Sequence, residues 1–255
     1  MSLRYGRMPG ASAIGKNNSI IKSLYMKKLN FLAVALLFLT FTAFNPGDNC
    51  ESYFASEVGT TWEQTSYDAK NKVTGRTTGK VKAYDAITGG FAATMEMEMF
   101  DDKNKPVTKG DVVMKCQDDK FYMDMSNMFP KDMAEIEGAE IVIDNEFSTF
   151  PNNPVPGQTL PDETSTMTVK LNGMAIMTMT IKTTNRKIEG FESVTTPAGT
   201  YNCVKYSSDS EVKSMFTMKS RTVMYMSKHV GAVKVENYDD KGKLQGTQVL
   251  TKFDD

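Results

Sequence analysis

Residues 164–186, TSTMTVKLNGMAIMTMTIKTTNR, decide the fold because they contain two alternating runs separated by a two-residue turn signal. Apolar and polar side chains alternate along each run, which is typical of β-strands with one buried face. Asn172-Gly173 lies between the runs, and both residue types tolerate the positive φ of a type I′ turn. The stretch therefore predicts an antiparallel hairpin.

The same alternation continues on both sides of this hairpin, with turn residues at short intervals. We expect an all-β (minor α) domain over residues 45–255: one curved antiparallel sheet of about 10–12 strands, as a half-barrel or a closed β-barrel. Residues 126–136 predict its one short helix, because apolar side chains there share a face. The predicted strands are 60–67, 77–87, 91–100, 107–117, 120–125, 140–147, 164–171, 174–186, 201–209, 212–227, 232–238 and 244–253.

One turn motif, aromatic-Asp-x-Lys-[Asn/Gly]-Lys, occurs at residues 67–72, 100–105 and 238–243. We expect the Asp carboxylate to accept hydrogen bonds from amides of the turn, and the Asn or Gly to adopt the left-handed conformation. A calcium loop is the alternative, but its alternating acidic oxygens and terminal Glu are missing. The motif predicts type I hairpin turns with a G1 bulge.

Residues 1–44 are typical of an N-terminal extension plus a signal peptide. Residues 29–44, LNFLAVALLFLTFTAF, form an apolar run preceded by Lys27 and Lys28. The run is shorter than the ~20 residues of a membrane-spanning helix. We expect a cleaved leader that begins at Met26 and leaves no transmembrane anchor; a retained anchor is the alternative. This predicts export to the periplasm or the outer-membrane periphery.

The domain behind the leader is acidic. The chain has 30 Lys+Arg and 31 Asp+Glu, and residues 1–43 hold six basic and no acidic side chains. The remainder therefore has 24 basic and 31 acidic side chains, a net charge of −7 (24 − 31). This balance predicts no nucleic-acid partner, because phosphate binding requires a basic patch. It also disfavours anionic membrane surfaces.

The cysteines of the chain are Cys50, Cys116 and Cys203. In an oxidising compartment two of them can pair. We favour a disulfide between Cys50 and Cys116, which would tie the N-terminal segment to the sheet, although the connectivity stays open. A lipoprotein anchored at Cys50 is the alternative; residues 47–49, Gly-Asp-Asn, are more polar than a lipidation signal.

The sequence contains no recognisable catalytic constellation. The single histidine, His229, lies in a predicted connection between strands, where a solvated role is expected. A Gly-x-Ser-x-Gly elbow, a His-x-x-x-His pair and a phosphate-binding glycine loop are all missing. We predict no catalytic residue, no metal and no cofactor, and hence no enzyme. A hydrolase with paired carboxylates is the alternative.

Methionine is unusually frequent, with 19 residues, and several occupy every second position of predicted strands. Alternation places each such set on one face of the sheet. These faces could bind Cu(I), form a deformable apolar cavity, or pack as ordinary core, and core packing is the leading interpretation. The candidate ligand-facing residues are Met95, Met97, Met99, Met177, Met179, Met224 and Met226.

Several strings occur together over about residues 50–253: TPAGT at 196–200 with Cys203 behind it, NRKIEG at 185–190, VGAVKVENY at 230–238 and GQTLPD at 157–162. In these the chain resembles the TapB-like family of exported bacterial proteins, which contain domain of unknown function 3108. The resemblance implies a curved antiparallel sheet in the periplasm or at the outer membrane. It implies no activity and no catalytic residues.

The sequence leaves three functional hypotheses. The first is a noncatalytic binding module that holds an apolar or amphipathic ligand, such as a lipid or peptide, in its curved sheet. The second is a structural or interaction protein of the cell envelope, which docks a partner through sheet edges or its acidic surface. The third is the hydrolase. The sequence does not predict an oligomeric state.

Overall fold

The structure is a computed structural model that describes residues 53–117, 120–124, 139–144, 147–148, 150–151 and 153–255. These residues form one antiparallel sheet of thirteen strands. The strands are β1 (Thr61–Asp68), β2 (Val73–Ile87), β3 (Gly90–Asp101), β4 (Pro106–Gln117), β5 (Lys120–Asp124), β6 (Ala139–Asp144), β7 (Phe147–Ser148), β8 (Glu163–Leu171), β9 (Met174–Thr196), β10 (Gly199–Lys213), β11 (Thr217–Ser227), β12 (Gly231–Asp239) and β13 (Leu244–Asp254). Their order across the sheet is β6-β8-β9-β10-β11-β12-β13-β1-β2-β3-β4-β5-β7.

The sheet is curved and open, which confirms the predicted fold class and selects the half-barrel. β6 and β7 are its outer strands, and no ladder joins them among the described residues. Register shifts interrupt most ladders, for example between Glu63 and Gln64 in β1 and between Val81 and Ala83 in β2. Because each bulge bends its strand and increases the local twist, the bulges together curve the sheet.

The repeated turn motif forms three equivalent hairpin turns. Asp68 Oδ1 accepts hydrogen bonds from the amides of Lys70 and Lys72 at 2.8 and 2.9 Å, and the aspartates of the other two turns accept the matching pairs. A register shift lies beside each turn. The residue before the last lysine has a positive φ in all three: Asn71 (61°), Asn104 (61°) and Gly242 (76°). The predicted turns are confirmed.

The turn between β8 and β9 is also as predicted, with φ of 51° at Asn172 and 79° at Gly173. β9 is longer than predicted, since it continues through residues 187–196. Asn185 adopts a positive φ of 51°, and the β9–β10 register shifts beside it. This bulge absorbs a residue that would otherwise end the strand.

The predicted single strand at residues 212–227 is wrong. A turn at residues 214–216 divides it into the end of β10 and the start of β11. The amide of Ser214 donates to the carbonyl of Phe216 at 3.1 Å. Met215 and Phe216 favour the strand prediction because they are apolar. Their side chains are in fact 76% and 64% exposed at the tip of the hairpin.

The core joins the segment before β1 to the sheet. Trp62 of β1 lies across Gly79 of β2, where a Cβ atom would lie 2.2 Å from the indole. Trp62 packs between two clusters of buried side chains, and the second of them contains Val233 and Leu250. The first cluster consists of Phe54, Ala55, Val81, Phe91, Ala93, Met95, Val112, Met114 and Cys116.

The leader, Cys50 and the predicted helix at residues 126–136 lie outside the described residues. All described residues belong to a unit that spans Thr40–Asp255, and the predicted boundary after residue 44 is not among them. In the described part of the chain, no helix has the length and apolarity to cross a membrane.

Candidate functional site

Residues 190–196 of β9, which we call the β9 edge, have a strand neighbour on one side only. On that side they pair with β10 as far as Gly199. On the other side β8 pairs with β9 no further than Thr183, and residues 157–160 bond β9 only up to Ile188. No strand continues this side within the described ranges. The outward amides and carbonyls of the β9 edge can therefore pair with an added extended chain.

Phe191 is the exposed aromatic residue of the β9 edge. It lies opposite Val204 in the ladder, yet Phe191 is 58% exposed while Val204 is buried. Two pockets of about 520 and 430 Å³ both have Phe191 and Glu192 among their lining residues. An exposed large apolar side chain shared by two pockets is typical of a recognition surface.

Charged groups of both signs line the smaller pocket. Ser207 Oγ donates to Glu189 Oε1 at 2.7 Å, and Arg221 Nη2 lies 3.4 Å from the same oxygen. The hydrogen bond from Lys187, followed by the one from Ser207, holds the pKa of Glu189 below its ordinary value. The pocket therefore presents an ionised carboxylate and a guanidinium next to the apolar ring of Phe191.

Tyr225 of β11 fixes a second cation close to the β9 edge. Lys205 Nζ and Lys234 Nζ lie 5.1 and 5.3 Å from the centroid of its ring, within the range of cation–π attraction. The Tyr225 hydroxyl donates to Glu236 at 3.3 Å, and Lys205 pairs with Glu192 at 3.2 Å. The hydrogen bonds with Tyr225 and Glu192 raise the pKa of Lys205. Lys205 is thus positively charged at neutral pH.

Cys203 is a free, buried thiol that lines the larger pocket. Burial, together with the charge of Glu192, raises its pKa to about 12. Such a thiol is protonated at neutral pH and is a poor nucleophile. Ser207 is not activated either, because its acceptor Glu189 has a lowered pKa and is a weak base. The chemistry of these two groups suits binding rather than covalent catalysis.

Arg186 is a buried charge next to the β9 edge. Its side chain is 1% exposed and forms an ion pair with Glu163 of β8. Its Nη1 also donates to the carbonyl of Pro161 at 2.8 Å, and its Nε donates to the hydroxyl of Tyr206 at 2.9 Å. Burial raises the pKa of Tyr206, which stays a neutral partner. Arg186 therefore fastens residues 161–163 to β9 and β10 where the edge begins.

The DUF3108-like family matches residues 57–250 of the chain. The chain belongs to the DUF3108-like family. This confirms the predicted resemblance to domain of unknown function 3108, while the narrower TapB-like name stays a prediction. The family has no established function, so its residues identify no site. Among curated proteins, none matches the chain.

Two solved structures share the fold of this DUF3108-like domain. One is a proposed lipoprotein from Parabacteroides distasonis ATCC 8503, with 22% identity and a TM-score of 0.64. The other is a proposed exported protein with a YmcC-like fold from Bacteroides fragilis NCTC 9343, with 22% identity and a TM-score of 0.65. Each comparison covers 81% of this chain and 100% of the other chain. At this identity the similarity establishes the fold alone.

The methionines singled out by the sequence are largely part of the core. Those that are buried are Met95, Met179, Met224 and Met226. The partly buried ones are Met97, Met99 and Met177. None of the seven lines the two pockets at the β9 edge. A ligand between the methionine faces stays a prediction, and it would have to displace packed side chains.

Cys116 and His229 line neither pocket at the β9 edge. Cys116 is fully buried in the core cluster, and because Cys50 is not described, their pairing stays a prediction. His229 is an exposed residue of the turn between β11 and β12, with φ of 59°, as predicted. In the described part of the chain, no group of three or more His, Cys, Asp or Glu side chains is placed to hold a metal ion.

The β9 edge and Arg186 escaped the sequence analysis. The predicted strands do not include residues 187–200, and Arg186 ends one of them among polar residues. The available signal was Phe191, an aromatic residue between Gly190 and Glu192 in a segment of high β propensity. That signal gives no information on whether a neighbouring strand covers the residue.

Proposed function

We propose that this chain is an exported, noncatalytic binding protein that receives an extended, amphipathic segment of a partner protein along the β9 edge. The observation that carries the proposal is Phe191, a 58% exposed aromatic side chain on a strand edge that has no neighbouring strand among the described residues. The proposal combines the predicted amphipathic ligand with the predicted use of a sheet edge to dock a partner.

An extended segment fits this edge better than a compact ligand. A strand added to a sheet edge obtains its affinity from main-chain hydrogen bonds, and its alternate side chains enter pockets. The pockets that share Phe191 can take apolar side chains. Glu189, Arg221 and Lys205 offer both signs of charge beside them, which favours a segment that alternates apolar residues with oppositely charged ones.

Export is supported by the sequence of residues 26–44 and by the two structural relatives, which are described as a proposed lipoprotein and a proposed exported protein. The test is to express the chain from Met1 and from Met26 in a bacterium, followed by fractionation and mass spectrometry. We expect the periplasmic or outer-membrane fraction to contain a product that lacks the leader. Cytosolic, unprocessed chain would contradict export, and a mass increase abolished by Cys50→Ser would identify a lipoprotein.

Binding at the β9 edge is tested with a fluorescein-labelled peptide of alternating valine and charged residues, Val-Lys-Val-Glu-Val-Lys-Val, measured by fluorescence anisotropy. We expect Phe191→Ser to weaken binding by about fivefold or more, because the exposed aromatic anchor is removed. Val58→Ser is the matched control, since Val58 is also 58% exposed and its neighbour Gly59 bonds Val81 of β2, which is several strands from β9 in the sheet; it should leave the affinity unchanged.

The role of the backbone is tested with the same peptide N-methylated at every residue, which has no amide donor on either side and therefore cannot form a ladder along the edge. We expect this peptide not to bind. Equal binding of the methylated peptide, or an unchanged affinity of the Phe191→Ser protein, would overturn strand addition at the β9 edge.

A further inference from the structure

Five hairpin turns lie at one end of the sheet, which we call the hairpin end. Neighbouring antiparallel strands run in opposite directions. Turns that follow strands of the same direction therefore lie at the same end of the sheet. The turns join β1 to β2, β3 to β4, β8 to β9, β10 to β11 and β12 to β13. The turn from β9 to β10 and the turn from β11 to β12 lie at the opposite end, with the start of β1.

Exposed apolar side chains concentrate at the hairpin end. Ten large apolar side chains are exposed among the described residues, and six of them belong to the strand ends and turns of this end. Their exposures range from 41% to 76%, far above what core residues show. The six are Val73, Val107, Met174, Ile176, Met215 and Phe216.

Two neighbouring hairpins project furthest. The β9–β10 ladder ends at Thr180, opposite Lys213, so β9 continues beyond β10 to its first residue, Met174. The β11–β12 ladder ends at Ser220, so the β10–β11 turn extends beyond β12. The most exposed apolar residues, Met174 and Met215, are therefore carried on the two projecting tips.

The hairpin end is basic although the domain is acidic. Glu140 at the start of β6 lies at this end and pairs with Lys170 at 3.8 Å. Together with Glu140, residues 68–72, 101–105, 170–174, 211–219 and 239–243 contain nine lysines and seven carboxylates. Three of these carboxylates, those of the turn aspartates, accept two amide hydrogen bonds each within their turns. At the opposite end, residues 53–59, 85–90, 192–202, 227–231 and 252–255 contain two lysines and five carboxylates. The charges are thus segregated along the strands.

We propose that the hairpin end docks on an anionic phospholipid surface. Met174, Ile176, Met215 and Phe216 enter the headgroup region, and the lysines behind them contact lipid phosphates. An anionic membrane is apolar inside and negatively charged at its surface. A projecting apolar tip with lysines around its base is complementary to both regions. A nucleic acid would satisfy the lysines and could stack a base on Phe216, but it would offer Met174, Ile176 and Met215 no apolar environment. This surface is separate from the β9 edge.

The test is co-sedimentation of the protein with phosphatidylcholine vesicles that contain either no phosphatidylglycerol or 30% of it. We expect binding to the anionic vesicles only, and weaker binding when the salt concentration rises. Replacing Met174, Ile176, Met215 and Phe216 together by serine should weaken binding on the order of tenfold or more. Because residues 1–44 are identical in all variants, they cannot account for such differences.

Matched controls distinguish binding through this surface from nonspecific binding to vesicles. Serine at Val58, Val155 and Phe191, which are 58%, 59% and 58% exposed elsewhere, should leave vesicle binding unchanged. Lys70→Gln, Lys103→Gln and Lys241→Gln together should weaken binding at least about tenfold, whereas glutamine at Lys80, Lys228 and Lys252 should not. Far-UV circular dichroism verifies that each variant folds.

Insertion itself is read from Phe216→Trp, whose fluorescence should shift to the blue on anionic vesicles, while Val58→Trp should not shift. Binding that is equal on neutral vesicles, or unaffected by both the serine and the glutamine variants, would overturn the proposal. So would a preference for an oligonucleotide over anionic vesicles. Because Phe191 is a control in this experiment, failure here leaves the β9-edge proposal standing, and the reverse also holds.

Discussion

At the scale of single residues, the reactivity and the number of free thiols test the predictions for the cysteines. Burial of Cys203 raises its pKa to about 12, so native protein at pH 8 should react with a thiol reagent at least about 100-fold more slowly than an exposed cysteine. The predicted disulfide between Cys50 and Cys116 implies one thiol per chain in denaturant without reductant. Cys203→Ser should reduce that count to zero. Three thiols in denaturant would contradict the disulfide.

Arg186 is the residue whose loss should cost most stability among the charged side chains discussed above. Its guanidinium is 1% exposed and pairs with Glu163, which is 20% exposed. Arg186→Leu leaves that carboxylate without its cation, and we expect the free energy of unfolding to fall by about 3 kcal/mol in urea titrations. Arg221→Leu removes a 44% exposed guanidinium and should cost less than about 1 kcal/mol. Equal losses of stability in the two variants would show that burial of the guanidinium does not determine the cost of removing it.

At the scale of elements, the sequence predicts the hairpin turns and misses the long edge strand. Turns are specified locally, since an Asp that caps its own turn and an Asn or Gly at positive φ lie within five residues of each other. An edge depends on how far the neighbouring strand extends, and β8 pairs with β9 no further than Thr183, which the sequence of β9 itself does not specify. The exposed tip at Met215 and Phe216 misled the strand prediction because apolar side chains there have no core to face.

The left-handed residue of each repeated turn gives a test at this scale. Asn71 has φ of 61°, a conformation that costs an L-residue with a Cβ about 1 kcal/mol unless its side chain tolerates it. Asn71→Ala should therefore lower the free energy of unfolding by about 1 kcal/mol, while Asn71→Gly should leave it nearly unchanged. Lys70→Ala, one residue earlier, serves as the control. Equal losses for alanine and glycine would contradict a conformational origin.

At the scale of the whole molecule, the average charge hides the arrangement of the charges. The composition predicts an acidic domain that avoids anionic membranes. It is correct about the net charge of the domain, which is negative. The sheet places its lysine-bearing turns at one end and carboxylates at the other, because hairpins of the same sense share an end. Charge segregation of this kind follows from topology, which composition does not contain.

The ionisable groups of the sheet also predict how its stability depends on pH. Hydrogen bonds from the amides of Lys72 and Lys70 hold the pKa of Asp68 below its ordinary value, and the amide of Lys105 lowers that of Asp101. The unfolded chain therefore binds more protons than the folded chain in acid. The stabilisation by these carboxylates is present above their unfolded pKa of about 4 and is lost as the pH falls through their folded values.

The opposite holds in alkali, where burial and the hydrogen bond to Glu236 raise the pKa of Tyr238 to about 12. The folded chain keeps this proton after the unfolded chain releases it near pH 10, so the stabilisation is complete below about pH 10 and disappears towards pH 12. Urea midpoints measured between pH 3 and pH 11 should therefore show a plateau that falls at both ends. Tyr238→Phe should reduce the alkaline fall, to which the raised pKa of Cys203 also contributes, and leave the acid one unchanged; an unaltered alkaline fall would exclude a contribution from Tyr238.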